Sequence, residues 1–146
     1  MDSTVTVAWL GIIVSFIAVF ALNMTYFSPK GFYPAWTKAL GQDMQANMEK
    51  GQGTNMAPAF TLVTIGLFVQ AFTMDWLVQA AAALYGHEVT ILTGLLTGLG
   101  AGIGLAAAPA LGHRVFSGQG IKVWVIEVGA DILGLALMGV ILSFWH

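Results

Sequence analysis

The sequence predicts an all-α integral membrane protein: a bundle of four transmembrane helices, with one short amphipathic helix between the first two. Three observations carry this prediction. Hydrophobic residues make up 58% of the chain and charged residues 8%, which is too little charge to cover a soluble domain of this length. Four apolar stretches are each long enough to cross roughly 30 Å of hydrocarbon as a helix. All lysine and arginine residues lie in or beside the connections that follow the first and third stretches.

The four predicted spans belong to one domain. They cover residues 5–27, 57–84, 91–111 and 122–145. The first is predicted to be a retained span, because it is longer than a signal-peptide core and no basic region precedes it. It ends before Pro29, which disfavours helix in the residue before it. The second is longer than a bilayer requires and is therefore expected to tilt or protrude.

An amphipathic helix is predicted over residues 34–50, with Pro34 in its first turn and Gly51 after its end. Apolar side chains recur there every four residues, opposite polar ones. These are Trp36, Leu40, Met44 and Met48. Two alternatives are open: the helix lies on the membrane surface, or its apolar stripe packs on the protein's own spans.

The basic residues predict the orientation of the four spans. They are Lys30, Lys38, Lys50, Arg114 and Lys122. With four spans, all five fall on the side of the first and third connections, and none falls on the side of the two termini. The positive-inside rule therefore places those connections in the cytoplasm and both termini outside.

The third span carries glycines at regular spacing. Two rows are spaced four residues apart: Gly94, Gly98 and Gly102 in one, Gly100 and Gly104 in the other. Small residues at this spacing form a groove into which another helix can press closely. We expect this helix at the centre of the bundle or at an oligomer interface.

Acidic side chains in the spans are the main candidates for a functional site. Glu127 and Asp131 lie four residues apart and share one face of the last span, and Asn23 is predicted at the depth of Glu127. An ionised group in hydrocarbon costs several kcal/mol unless it meets a partner or water. Asp75 of the second span lies either inside the membrane or at its wet outer interface. We therefore predict an intramembrane polar site of Glu127, Asp131, Asn23 and Asp75.

Three interpretations of Glu127 and Asp131 are open. The pair forms a proton or cation site, or one acid hydrogen bonds to Asn23, a threonine or a backbone carbonyl and joins helices. In the third interpretation, Glu127 reaches out to Lys122 or Arg114 at the membrane interface.

Several classes of function are not expected. The chain has no cysteine, so disulfides, thiol chemistry and cysteine zinc sites do not arise. It has no basic cluster, and nucleic acid is not an expected partner. Motifs for nucleophilic catalysis, phosphate loops and metalloprotease helices are missing from the sequence. We expect no enzymatic activity, no catalytic residues, no metal site and no cofactor.

A set of short motifs is spread over nearly the whole chain. They are Tyr26-Phe27-Ser28-Pro29, Phe32, Trp36, Ala39-Leu40-Gly41, Pro109, Phe116, Lys122, Met138-Gly139 and Trp145. In these motifs the sequence resembles the DUF1761 family of small four-helix bacterial membrane proteins, whose function is uncharacterised. Tyr33, Pro34 and the two acids of the last span depart from the family pattern. The resemblance implies the four-helix fold and the bacterial cytoplasmic membrane, and no activity.

Two functions remain as hypotheses. The first is a membrane component without enzymatic activity, which self-associates or is an accessory subunit of a larger membrane complex; the glycine rows motivate it. The alternative is a small transporter or channel coupled to protons or cations, motivated by the intramembrane carboxylates. In both cases the lipid bilayer is the immediate partner.

Overall fold

The computed structural model describes residues 6–86 and 88–146, and all regular secondary structure in these residues is helical. The seven α-helices are α1 (Trp9–Tyr26), α2 (Tyr33–Ala39), α3 (Met44–Gln52), α4 (Ala57–Tyr85), α5 (Ile91–Ala101), α6 (Ala108–Phe116) and α7 (Ile121–Leu142). A π-helical segment, Gly102–Ala107, joins α5 to α6, and a 3₁₀ turn, Ser143–Trp145, follows α7.

Four of these helical stretches are long and apolar enough to cross a membrane. They are α1, α4, the continuous helix Ile91–Phe116 and the last stretch, Ile121–Trp145. The predicted all-α class and the four apolar spans are confirmed. The predicted start of the first span at residue 5, and residue 87 in the second connection, lie outside the described residues.

The third span is longer than predicted. Helix continues past residue 111 to Phe116, so the connection that follows it shrinks to residues 117–120. Pro109 does not end the helix, because it lies in the first turn of α6, just after the π segment, where its missing N–H costs little.

The single helix predicted over residues 34–50 is wrong in its continuity, since the structure has α2 and α3 there. Gly41 separates them with a φ of 69°, a left-handed conformation that favours glycine and stops a helix. Asp43 then caps α3, because its side chain accepts a hydrogen bond of 2.9 Å from the Ala46 N–H. Leu40 falls in the break, so the apolar stripe is not carried from α2 into α3.

Helix α7 is the element on which the others pack. The first glycine row of the third span, Gly94, Gly98 and Gly102, lies against it. A Cβ atom on Gly94 would overlap the carbonyl oxygen of Gly139, and a Cβ on Gly139 would overlap that of Gly94. Such closeness brings many atoms into contact and permits weak Cα–H···O bonds. The first glycine row therefore joins two helices of the same chain, whereas a Cβ atom added at Gly100 or Gly104 would meet nothing within 4 Å.

The packed helices together have two ends, and we name each end for the residues found there. At the terminal end, the start of α1 and the end of α7 meet, with Trp145 lying on Gly11. At the basic end, α2 lies beside the first turns of α7 and the last turns of α6, so the first and third connections are together.

Packing differs between these two ends. Most of the largest fully buried side chains lie in the half toward the terminal end, among them Ile12, Met74 and Met138, whereas Thr37 and Val123 are buried at the basic end. In the half toward the basic end, every residue of α4 from 57 to 66 is exposed, and α6 has no buried residue. The helices are therefore closely packed near the terminal end and more open near the basic end.

Candidate functional site

The structure does not bring the four predicted polar residues into one site. Glu127 and Asp131 lie on the half of α7 toward the basic end. Asn23 borders a cavity of about 180 Å³ between α1 and α4, and its side chain makes no hydrogen bond to the described residues. Asp75 lies at the terminal end, beside residues 6–8 and His146.

Glu127 is held by side chains from two other elements. Its Oε2 atom lies 2.6 Å from Nε of Arg114, at the end of α6, and its Oε1 atom accepts a hydrogen bond of 3.0 Å from the Trp36 indole N–H. Arg114 also donates to the Gln119 side chain at 2.6 Å. A carboxylate with a cation and a second donor is well compensated for its removal from water. The structure thus pairs Glu127 with Arg114, as the third interpretation of the sequence predicts, and Lys122 takes no part in this contact.

Helix α2 contacts the protein's own last span. Thr37 is 1% exposed, and Val123 of α7 is fully buried. Together with the hydrogen bond from Trp36 to Glu127, this fixes α2 on α7. Helix α3 has no buried residue, so Met44 and Met48 are not part of this contact.

Tyr26 joins the end of α1 to the same region of α7. Its hydroxyl donates a hydrogen bond of 2.8 Å to the carbonyl oxygen of Ile126. Gly129 makes room for it, since a Cβ atom there would lie 2.6 Å from the tyrosine hydroxyl. The carboxylate of Glu127 is therefore surrounded by anchored elements.

Asp131 differs from Glu127, although it lies one turn along the same helix. It is exposed, and its side chain has no hydrogen bond or ion pair within the described part of the chain. Yet the neighbours on its own face are buried: Val128 is 4% exposed, Leu135 5% and Met138 0%. Asp131 therefore shares a face of α7 with buried residues but remains exposed itself.

Asp75 is buried, with 2% of its surface exposed. Its Oδ1 atom lies 2.7 Å from Nε2 of His146, and its Oδ2 atom accepts from the Gln79 side chain at 3.3 Å and the Ala8 N–H at 3.4 Å. Gln79 also exchanges two hydrogen bonds with the backbone of Thr6, at 3.0 and 3.2 Å. Asp75 and Gln79 thus tie both ends of the chain to α4, and Asp75 is not the wet interfacial acid of one sequence interpretation.

Sequence reasoning missed most of these partners. The spacing of Asp75 and Gln79, one helical turn apart, was a signal for a shared contact. Nothing in the sequence marks His146 or the backbone of residues 6–8 as that contact. The sequence pattern places Trp36 in an apolar stripe. It does not indicate which group accepts a hydrogen bond from the Trp36 indole N–H.

The described residues contain no group of three or more histidine, aspartate or glutamate side chains that could hold a metal ion. A lateral groove of about 580 Å³ lies between α4 and α5. It is lined mainly by apolar side chains and includes Gly100 of the second glycine row. No acidic or basic side chain is among its lining residues.

Comparison with known proteins adds one finding. A family model described as "Protein of unknown function (DUF1761)" matches residues 10–143, nearly the whole chain. No curated protein matches the chain, and no solved structure matches it.

Proposed function

The chain belongs to the DUF1761 family of proteins of unknown function, and we propose that it is a multi-pass membrane component without enzymatic activity. It would associate through its spans, with copies of itself or as an accessory subunit of a larger membrane complex. We place it as a four-helix bundle in the bacterial cytoplasmic membrane. The basic end faces the cytoplasm and both termini face outward, with α2 and α3 at the inner interface.

The observation that carries this proposal is that Asp131 has no hydrogen-bond or ion-pair partner among the described residues. From Ile121, ten residues of helix rise about 15 Å, so Asp131 lies near the middle of a hydrocarbon layer of roughly 30 Å. A carboxylate at that depth costs several kcal/mol without a partner. The described chain supplies Glu127 with Arg114 and Asp75 with His146, but it supplies nothing to Asp131. A polar group from another helix would complete this part of the interior.

The surfaces that remain open support association. The first glycine row is filled by α7 of the same chain, so it no longer argues for a partner. The second row, Gly100 and Gly104, faces open space, and residues 57–66 of α4 have no packed face. A partner helix would have both of these surfaces available for packing.

The native mass in mild detergent tests this proposal. We expect the parent protein to run as a homo-oligomer or with a larger membrane partner, and Asp131→Asn to reduce that species at least about tenfold if a charge-assisted contact of about 1.5–3 kcal/mol is lost. Leu133→Ala is the matched control: it alters an exposed residue of α7 two positions away and should leave the mass unchanged. A monomeric parent protein would contradict the proposal.

A second candidate function is a transporter or channel coupled to protons or cations. The exposure of Asp131 favours it, because this acid lies one turn from the Arg114–Glu127 pair. Toward the terminal end, the fully buried Met138 and Leu142 would have to move to open a path. Proteoliposomes test it: flux of protons or cations that Asp131→Asn abolishes and Leu133→Ala preserves would favour transport over association.

A further inference from the structure

We propose that α2 and the first turns of α7 form a binding groove for an anionic phospholipid at the basic end. Its phosphate would lie between Lys38 and Lys122, and an acyl chain would follow the apolar surface of α7. The proposal goes beyond the association proposed above, since it concerns a different face of α7 and does not involve Asp131.

The shape and lining of this groove are unusual for the molecule. It has a volume of about 620 Å³ and is lined by two cationic and five apolar side chains: Ala35, Lys38, Ala39, Ile121, Lys122, Val125 and Ile126. Of the three residues that α2 contributes to the lining, two are alanines, and their small side chains leave the floor of the groove open. No carboxylate is among the lining residues.

The electrostatics of the groove favour an anion. Lys38 and Lys122 are exposed, and neither makes an ion pair with a carboxylate of the described residues. At about 100° per residue, Glu127 falls on the far side of α7 from the stripe of Lys122, Val125 and Ile126, and Arg114 already neutralises it.

The first turn of α7 adds to the positive electrostatic potential of the groove. Helix α7 begins after Gly120, and no side chain caps it. Its first N–H groups therefore keep their partial positive charge close to Lys122.

The apolar part of the groove selects a lipid over a soluble phosphate. Ile121 is 62% exposed and Val125 54% exposed, directly beside Lys122, so the cationic rim continues without a break into apolar surface. A soluble phosphate would use the lysines and leave this surface uncovered. A phospholipid uses both, because its headgroup meets basic residues at the interface while its acyl chain stays in hydrocarbon.

Native mass spectrometry from a neutral detergent tests the proposal. The probes are phosphatidylglycerol and phosphatidylcholine with identical acyl chains, which separate net anionic charge from a lipid phosphate as such. We expect the parent protein to bind phosphatidylglycerol about tenfold more tightly than phosphatidylcholine. In Lys38→Gln/Lys122→Gln that preference should fall at least about tenfold, since two headgroup contacts are lost.

The matched control is Lys30→Gln/Lys50→Gln, which removes the same charge from exposed residues outside the groove and should change the preference less than about twofold. A second variant, Ala39→Leu, fills the floor without changing charge and should weaken binding of phosphatidylglycerol. Far-UV circular dichroism and the native charge states show whether each variant is folded.

Three results of the lipid comparison would overturn the proposal. They are equal binding of the two lipids by the parent protein, unchanged preference in the Lys38/Lys122 variant, and an equal loss in the control. Full displacement of the lipid by millimolar glycerol phosphate would show recognition of a free phosphate alone, and it would also overturn the acyl-chain site.

Discussion

Asp75 and Asp131 are two carboxylates in apolar helices, and they differ in burial and in the number of their partners. Asp75 lies in the closely packed half, 2% exposed, with three partners: His146, the Ala8 N–H and the Gln79 side chain of its own helix. Asp131 lies in the open half, is exposed, and has no partner in the described residues. Asp75 therefore joins separate parts of the chain, whereas Asp131 makes no side-chain contact that would join anything in the described residues.

The same contrast holds for the two glycine rows of the third span. Gly94, Gly98 and Gly102 have the backbone of α7 against them, whereas Gly100 and Gly104 have empty space. Both rows have identical spacing in the sequence. Substitutions that look equivalent in the sequence are therefore expected to have different effects.

The largest effect is expected at Gly94. In Gly94→Ala the new methyl group would overlap the carbonyl oxygen of Gly139, and since backbone cannot step aside, α5 and α7 must separate. We expect a loss of about 3 kcal/mol or more in the free energy of unfolding, measured in mild detergent. Gly100→Ala is the control, and should be neutral or stabilising by up to about 1 kcal/mol because nothing lies near it. Equal losses in the two variants would contradict the packing of α5 on α7.

The next effect is expected at Asp75. Asp75→Ala leaves His146, Gln79 and the Ala8 N–H without their acceptor in a buried place. The free energy of unfolding should fall by about 2 kcal/mol. Glu88→Ala, a change at an exposed acid, should cost less than about 0.5 kcal/mol. A small effect at Asp75 would mean that the ends of the chain are not held there.

A smaller effect is expected at Trp36. Trp36→Phe keeps an aromatic ring but removes the N–H that donates to Glu127, at a cost of about 1 kcal/mol. Because this bond holds α2 on α7, trypsin should cleave after Lys38 about fivefold faster. Trp76→Phe is the control: Trp76 is 54% exposed on α4 and donates no hydrogen bond to the described residues. Unchanged cleavage in Trp36→Phe would show that α2 is held by other contacts.

The smallest loss of stability is expected at Asp131. Asp131→Asn removes no contact made within the described chain and replaces an unpartnered acid with a neutral amide, so the free energy of unfolding of the isolated protein should stay the same or rise. The same measurement as for Asp75 checks this directly. A loss comparable to that of Asp75→Ala would mean that Asp131 has a partner in the isolated chain, and the contrast between the two halves would fail.

The sequence predicted the features that depend on local pattern. Uninterrupted apolar length was enough to find four spans, and the spacing of Gly94, Gly98 and Gly102 was enough to predict close helix packing. The break at Gly41 was missed because the apolar period runs through it, and glycine's left-handed conformation is visible only in the backbone. The extension of the third span to Phe116 was missed because the apolar run ends at Leu111, whereas the helix continues through His113 and Arg114.

The polar contacts were the least predictable part. Glu127 was expected to find some partner, and Arg114 was among those considered, but Trp36 was not. His146 and Asp75 are 71 residues apart, and no local rule joins them. Such pairs follow from how the helices are placed against one another, which a single sequence does not state.

The contacts of Asp75 and Gly94 also bear on the order in which contacts can form during synthesis of the chain. Both belong to segments that are synthesised before α7, and each has one partner in α7 or just beyond it: Gly139 for Gly94 and His146 for Asp75. A nascent chain that contains only the first three hydrophobic segments therefore lacks the histidine contact of Asp75 and leaves the first glycine row uncovered. Synthesis of the final segment supplies both partners, so a chain that ended before α7 would have neither contact.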